Sequence, residues 1–315
     1  MTSLLNISTR DTHSAVPSDA SRIPHRLGNA PTGRDESQPM IVVAVTREIG
    51  SLGTEVAAGI AEKLGLKNVH SEIVADKIAR RLGVAEELVR RHVDGSASLL
   101  DRWQVNRRRL SRYSCEEIIG LAHQGNVLIQ GWGAATLLRN IPQVISVRVC
   151  APMDFRVRVM MERLGNSNAK AVREEIEKFD AARVRAIRTL FNLAEEDSRL
   201  YHVVLNTERL PLDVCVKAVC ELAEGPSFGD RVSARSVLAD KLLEAKISSV
   251  LTEKISVSMA PLGISVSVVD GKITLAGTTT SGGLRSEAER IACAIAGPAN
   301  IENHIISVPS RGQVH

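Results

Sequence analysis

The sequence predicts an α/β fold in which a mostly parallel sheet is flanked by helices, with a small α+β unit of αββαβ order after it. Four short apolar, β-branched runs, at 41–45, 127–130, 144–150 and 201–207, have the length and texture of buried strands. Stretches of helical period separate them, and strands alternating with helices imply a parallel sheet with right-handed crossovers. Past residue 235 the texture changes to two alternating runs around Asp270-Gly271, a hairpin signature.

Taken in order, residues 1–39 are rich in Ser, Thr, Pro, Arg and Asp without periodicity, and are expected to form a disordered leader. Asp11, Asp19, Asp35 and Glu36 argue against an organelle transit peptide. The first strand stops at Thr46-Arg47-Glu48-Ile49-Gly50-Ser51-Leu52-Gly53, and Val56, Ile60 and Leu64 then recur every four residues with small alanines between them. This strand, glycine turn and helix form a corner suited to anions, because free backbone N–H groups and the helix dipole both favour a phosphate there. Arg47 adds a charge-assisted contact. The turn is not a full P-loop: with the helices superposed, Gly53 falls where GxxxxGK[ST] has its lysine, and Thr54 and Glu55 follow. An ordinary βα corner is the plain alternative.

Residues 67–70 read as a short strand, and 71–94 as helical with a break near Gly83. The segment 101–109, with Arg107, Arg108 and Arg109, reads as a solvated helix face in preference to a phosphate contact. The strand 127–130 ends at Gly131-Trp132-Gly133-Ala134, residues 135–138 look helical, and the strand 144–150 ends at Ala151-Pro152. In such sheets ligands sit at the carboxyl ends of the strands, where Arg47, Trp132 and Pro152 fall. Residues 153–200 are charged and helical with a break at 164–168. Arginines on both sides of that break suit a phosphate-covering lid, or a surface helix laced with i,i+4 ion pairs. A helix over 212–222 closes the unit. Residues 225–234 read as a linker, 236–255 as an amphipathic helix interrupted near Ser248 in one reading, 284–295 as a helix, 301–308 as a strand and 310–315 as a tail.

Composition narrows the function classes. Length suggests two domains. A net charge of +4 with 3% aromatics gives little to stack bases on, which speaks against nucleic acid. Five scattered cysteines form no CxxC or Cys/His cluster, so reduced thiols without structural zinc are expected. No apolar run reaches bilayer length, the start lacks a secretory core, and the expected compartment is the cytoplasm.

Residues 40–224 resemble the cytidylate kinase-like family of P-loop nucleotide kinases. The matching stretches are the turn from Thr46 to Gly53, the run from Gly125 to Ala134, Val147-Arg148-Val149-Cys150-Ala151-Pro152-Met153-Asp154-Phe155-Arg156, Asp180 with Arg183, and Leu205-Asn206-Thr207. Residues 235–309 resemble a BON domain, chiefly through 269–277 and the helix and strand after it. The first resemblance implies a P-loop kinase-like sheet and transfer of the γ-phosphoryl of ATP to a nucleoside monophosphate, CMP or dCMP, with Mg²⁺ bridging the phosphates. It implies that Gly50, Ser51, Gly53, Thr54 and Glu55 form the donor-phosphate turn with Arg47 beside it, and that Arg156 and Arg163 belong to a lid. It further implies that Asp180 and Arg183 belong to the closing segment, and that His70, Gly131, Trp132 and Gly133 lie on the acceptor side. No metal-binding side-chain set is implied. The BON resemblance implies a module that binds a protein partner or a phospholipid surface.

Three departures stand out. Leu52 and Thr54 replace a glycine and a basic residue usual in the family's turn, His70 replaces an acidic residue, and Trp132 replaces the arginine of Gly-Arg-Gly. Each lost charge-assisted contact is worth about 1.5–3 kcal/mol. Such losses multiply into orders of magnitude in rate. A catalytically degenerate nucleotide-binding scaffold, acting as a sensor through its BON module, is therefore the competing expectation.

Overall fold

The computed structural model describes residues 40–192, 197–228, 231–255, 263–279, 282–297 and 300–308. The expected leader and tail lie outside them.

The first unit is built on β1 (Val42–Arg47), β2 (Lys67–Val69), β3 (Val127–Gln130), β4 (Val144–Cys150) and β5 (Val203–Asn206). All pairings are parallel and the strand order is β2-β3-β1-β4-β5. β1 is central and apolar on both faces, as a parallel strand covered on both sides must be. Its alternation divides the core: Val42 and Ala44 face one hydrophobic cluster, Val43 and Val45 the other. The second cluster is covered by α1 (Gly53–Leu64) and α9 (Leu212–Glu224). The first is covered by α2 (Ser71–Leu82), α3 (Glu86–Val93), α5 (Arg107–Gln124) and α6 (Ala134–Leu137), with α4 (Leu99–Gln104) at its edge. The break expected near Gly83 is the αL cap of α2. α7 (Met153–Leu164) and α8 (Ala169–Phe191) form the charged hairpin, and its turn opens at Gly165, again in the αL region.

The second unit pairs β6 (Ile264–Val269) with β7 (Lys272–Thr279) antiparallel and β7 with β8 (Ile301–Ser307) parallel. α10 (Arg231–Ile255) and α11 (Gly282–Ala296) pack on the sheet. The hairpin turns on Asp270 and Gly271, both at positive φ, and both backbone N–H groups donate to the Asp240 carboxylate in α10, at 2.7 and 3.1 Å.

α10 belongs to both units. Ala234 and Leu238 are fully buried in the core of the first, whereas Ile247 and Leu251 lie in the core of the second. The helix runs through the position where an interruption was considered. Ser248 and Ser249 are buried, and the Ser249 hydroxyl donates to the Arg112 carbonyl of α5 at 3.3 Å. That bond takes up the polar group that weakens a serine in mid-helix.

Candidate active site

The turn after β1 is held from three sides. Ser51 N–H and Oγ both donate to the Glu48 carbonyl, at 3.2 and 2.7 Å, and Thr207 Oγ1 donates to the Ser51 carbonyl at 2.7 Å. The Glu48 carboxylate accepts from Arg148 at 2.9 Å and from the Ala151 N–H at 3.3 Å. Gly50 has φ +76°, and a Cβ there would lie 2.8 Å from the Arg156 carbonyl, so only glycine lets the α7 backbone come this close. Leu52, the N-cap of α1, is in the left-handed region at φ 56° and makes no side-chain cap. The helical ladder starts at Val56 N–H to the Leu52 carbonyl, which leaves the N–H groups of Gly53, Thr54 and Glu55 without intrahelical partners.

This helix start opens into a cavity of about 390 Å³. Arg47, Gly50, Leu52, Gly53 and Thr54 form its floor. Arg47 Nε donates to Thr54 Oγ1 at 3.0 Å. Burial, followed by the nearby positive charge of Arg183, lowers the Arg47 pKa, with Glu72, Asp94 and Glu55 opposing. Two guanidinium groups thus line one cavity beside the helix N-terminus, with the Glu72, Asp94 and Glu55 carboxylates offsetting part of their charge.

The opposite wall was not foreseen. Glu72 at the start of α2, Glu87 and Arg90 in α3, and Asp94 at its C-cap all line the cavity. Burial, with Glu72 and Glu87 adding to it and Arg90 opposing, raises the Asp94 carboxyl to about 6. Gly95 allows this closeness: its Cα lies against the Ala182 carbonyl with no room for a Cβ, so α8 lies directly over the end of α3. Phe179, Arg183 and Ile187 of α8 make the roof. Carboxylates on short helices read in sequence as a solvated face, and only the glycine following Asp94 hinted at a close approach.

Of the residues anticipated from sequence, the cavity gathers Arg47, Gly50, Gly53 and Thr54 from the turn, Gly131 and Trp132 from the end of β3, and Arg163 and Arg183 from the hairpin. Six stand behind the lining. Ser51 is fully buried in the loop's own hydrogen bonds, and Glu55 is exposed and pairs with Arg163. His70 is the N-cap of α2, its pKa lowered by burial, and Gly133 is the N-cap of α6. Arg156 is 4% exposed and ties the loop to the hairpin: Nε donates to the Ile49 carbonyl at 2.7 Å, Nη2 to Asp180 at 2.6 Å, and Glu48 lies 3.6 Å from Nη1. Trp132 is 3% exposed, packs in the first core and donates its indole N–H to the Ser71 carbonyl at 3.1 Å, so its main part is core. The hairpin arginines pair mostly across elements, Arg163 with Glu55 and Arg173 with Asp154 among them, and not at i,i+4 along one surface helix.

A five-stranded parallel sheet of this order, with a glycine turn and a helix N-terminus at the carboxyl end of its central strand, defines the P-loop kinase class of α/β domains. The model of the cytidylate kinase-like family matches residues 42–209, and the chain belongs to that family. The BON domain model matches residues 239–309. Among curated relatives, the cytidylate kinase of Pyrococcus horikoshii is 25% identical over 169 residues, covering 54% of this chain and 81% of the relative. That of Ignicoccus hospitalis is 26% identical over 184 residues, covering 57% and 97%. Among solved structures, an uncharacterized protein from Eubacterium ventriosum is similar with a TM-score of 0.47 at 20% identity, over 59% of this chain and 98% of its own. Shikimate kinase from Acinetobacter baumannii follows at 0.36 and 14%, over 58% and 92%.

Proposed function

We propose that the first unit is an ATP-dependent kinase that phosphorylates a nucleoside monophosphate, with CMP or dCMP as acceptor. The observation that carries this reading is the convergence of Arg47, Arg183 and the bare N-terminus of α1 on one cavity. Phosphoryl transfer asks a protein mainly for positioning and charge neutralisation, and this floor supplies both. The N–H groups of Gly53, Thr54 and Glu55 cradle the donor phosphates, Arg47 lies alongside them, and Arg163 and Arg183 cover them from the hairpin. Arg156 and Asp180 act through the loop they hold. The carboxylates opposite suit a cytosine ring, whose exocyclic amino group is a donor that Asp or Glu accepts. His70, Gly131, Trp132 and Gly133 shape that side.

Among the described residues no cluster of three His, Cys, Asp or Glu could cage a metal ion, so Mg²⁺ would be held largely by phosphate oxygens and water, with the Thr54 hydroxyl at the helix start as a protein oxygen that could join them. When bound it neutralises charge on the phosphoryl oxygens. The BON module is read as the binding arm, for a protein partner or a phospholipid surface, and the cytoplasm as the compartment; among the described residues no helix is long and apolar enough to cross a membrane. A second reading, nucleotide binding without transfer, is favoured by Trp132, whose burial leaves no cation at that position.

ADP formation by the full chain with ATP and Mg²⁺, against a panel of nucleoside monophosphates, tests the proposal. Turnover that depends on CMP or dCMP and disappears in Arg47→Ala supports it. No turnover with any acceptor, in a folded sample that still binds ATP, would establish the second reading.

A further inference from the structure

Trp103 is 89% exposed and Leu100 is 77% exposed, one helical turn apart on α4. Their spacing puts both on one face, and a capping box, in which Ser98 and Asp101 bond each other's backbone N–H groups, fixes the helix that presents them. Two large apolar side chains held in water by a well-capped helix call for a partner.

The surroundings state the partner's charge. Between Ser98 and Cys115 the chain has five arginines and one acid. That acid, Asp101, is 7% exposed and is taken up by Ser98 and Arg91. Arg107, Arg108 and Arg112 are exposed, and none of them has a side-chain partner among the described residues. Of the carboxylates nearby, Glu116 and Glu117 are tied to Arg81 and Lys77, and Glu253 is hydrogen-bonded to Tyr113. Arg107, Arg108 and Arg109 also occupy the first turn of α5, which has no acidic residue there, so the helix dipole opposes all three. Cations kept where they cost stability, beside apolar groups kept where they face water, share one complement: a surface that is anionic outside and apolar beneath.

We propose that the nucleotide-binding unit docks on anionic lipid bilayers through Leu100 and Trp103 of α4 and Arg107, Arg108 and Arg112 of α5. Trp103 seats its ring at the headgroup level, Leu100 enters the acyl boundary, and the arginines meet the lipid phosphates. A single-stranded nucleic acid would use the arginines and Trp103 but would leave Leu100 in water. The surface is distinct from the BON sheet, and it lies where α10 crosses α5, since Arg109 donates to the Glu253 carbonyl at 3.1 Å.

The test is sedimentation of the full chain with vesicles of phosphatidylcholine alone and of phosphatidylcholine with phosphatidylserine, at low and high salt. The expected result is binding to the anionic vesicles only, weakening with salt, with a blue shift of Trp103 emission. Arg107→Gln with Arg108→Gln should reduce affinity about thirtyfold, and Leu100→Ser with Trp103→Ser more than about tenfold. Circular dichroism should show both double variants folded, because these side chains touch no core. Absence of binding to anionic vesicles overturns the proposal. So does binding that neither double variant alters, which would place the contact elsewhere, or tighter binding to a single-stranded oligonucleotide than to vesicles.

Discussion

Arg47 and Gly53 share one space: a Cβ on Gly53 would fall 2.6 Å from the Arg47 Cβ, and the Arg47 side chain runs past that point to Thr54. Gly53 is where a P-loop has its lysine. The nearby cation here stands at the end of the strand and not at the helix start, and the glycine leaves room for it.

Gly53→Ala should therefore cost about 1–3 kcal/mol, by overpacking against Arg47. Gly53→Lys, which restores the P-loop residue, should destabilise by at least as much and should not raise activity. Urea unfolding of both variants against the parent protein measures this, and a Gly53→Lys protein of parental stability would refute the shared-space reading.

Much of this was legible in the sequence. The runs around Val43, Leu128 and Ile145 announced buried parallel strands because both faces of each must be apolar. The turn from Arg47 to Gly53 announced a strand, glycine turn and helix start because those are local features, and the structure has that corner. Trp132 stood out in sequence as a departure from Gly-Arg-Gly, and its place in the core rests on a bond to the Ser71 carbonyl 61 residues away. Glu72, Glu87 and Asp94 carry no local signal beyond the glycine that follows Asp94. They become a wall only because Gly95 lets α8 lie over them. The run of arginines at 107–109 read as a helix face, but the rest of α5, as far as Gln124, did not. Leu238 was illegible for a similar reason: an amphipathic helix shows that it has an apolar face, not that one end of the face belongs to a different core from the other.

Leu52 holds a left-handed conformation that costs an L-residue about 1–2 kcal/mol. Leu52→Gly should leave stability within about 1 kcal/mol of the parent, since relief of strain offsets the lost contacts and the glycine entropy. Leu52→Val, β-branched at the same φ, should lose about 1–2 kcal/mol more than Leu52→Gly. Thermal or urea unfolding of the pair gives the difference directly.

Arg156 donates to the Ile49 carbonyl and to Asp180 from a site 4% exposed, with Glu48 close by. Removing it strands the partly buried Asp180 carboxylate and the Ile49 carbonyl, while Glu48 keeps Arg148 and the Ala151 N–H, so Arg156→Ala should cost about 3 kcal/mol. Arg156→Lys should recover little, because a single ammonium cannot reproduce the fork. Guanidinium unfolding checks the cost, and a loss under 1 kcal/mol would show that the loop and the hairpin are held by other contacts.

Asp94 gives the protein a pH signature. Its carboxyl is raised from 3.8 to about 6, chiefly by burial. An acid raised on folding binds more protons in the native state between its two pKa values, so stability falls as pH rises from about 4 to about 6. Above that window the charged form is buried at a cost on the order of 3 kcal/mol. Asp94→Asn should flatten this slope and be the more stable protein at pH 7.5, with little difference at pH 4. Unfolding midpoints of both proteins across pH 4 to 8 decide it, and parallel curves would remove Asp94 as the titrating group.

Leu238 is fully buried in the core of the first unit, although it lies on the helix that opens the second. Leu238→Ala should cost about 2–5 kcal/mol. The loss should register in the nucleotide-binding unit, because Leu238 belongs to the same cluster as Leu110 and Ile118 of α5. A chain cut after residue 224 loses Ala234 and Leu238 together and should unfold at lower denaturant than the full chain, with its exposed α5 face prone to association. Hydrogen exchange places the effect: faster exchange in α5 of Leu238→Ala, with Ile273 and Leu275 of β7 unchanged, is the expected pattern. Exchange quickened only in β7 would mean that the whole of α10 belongs energetically to the second unit.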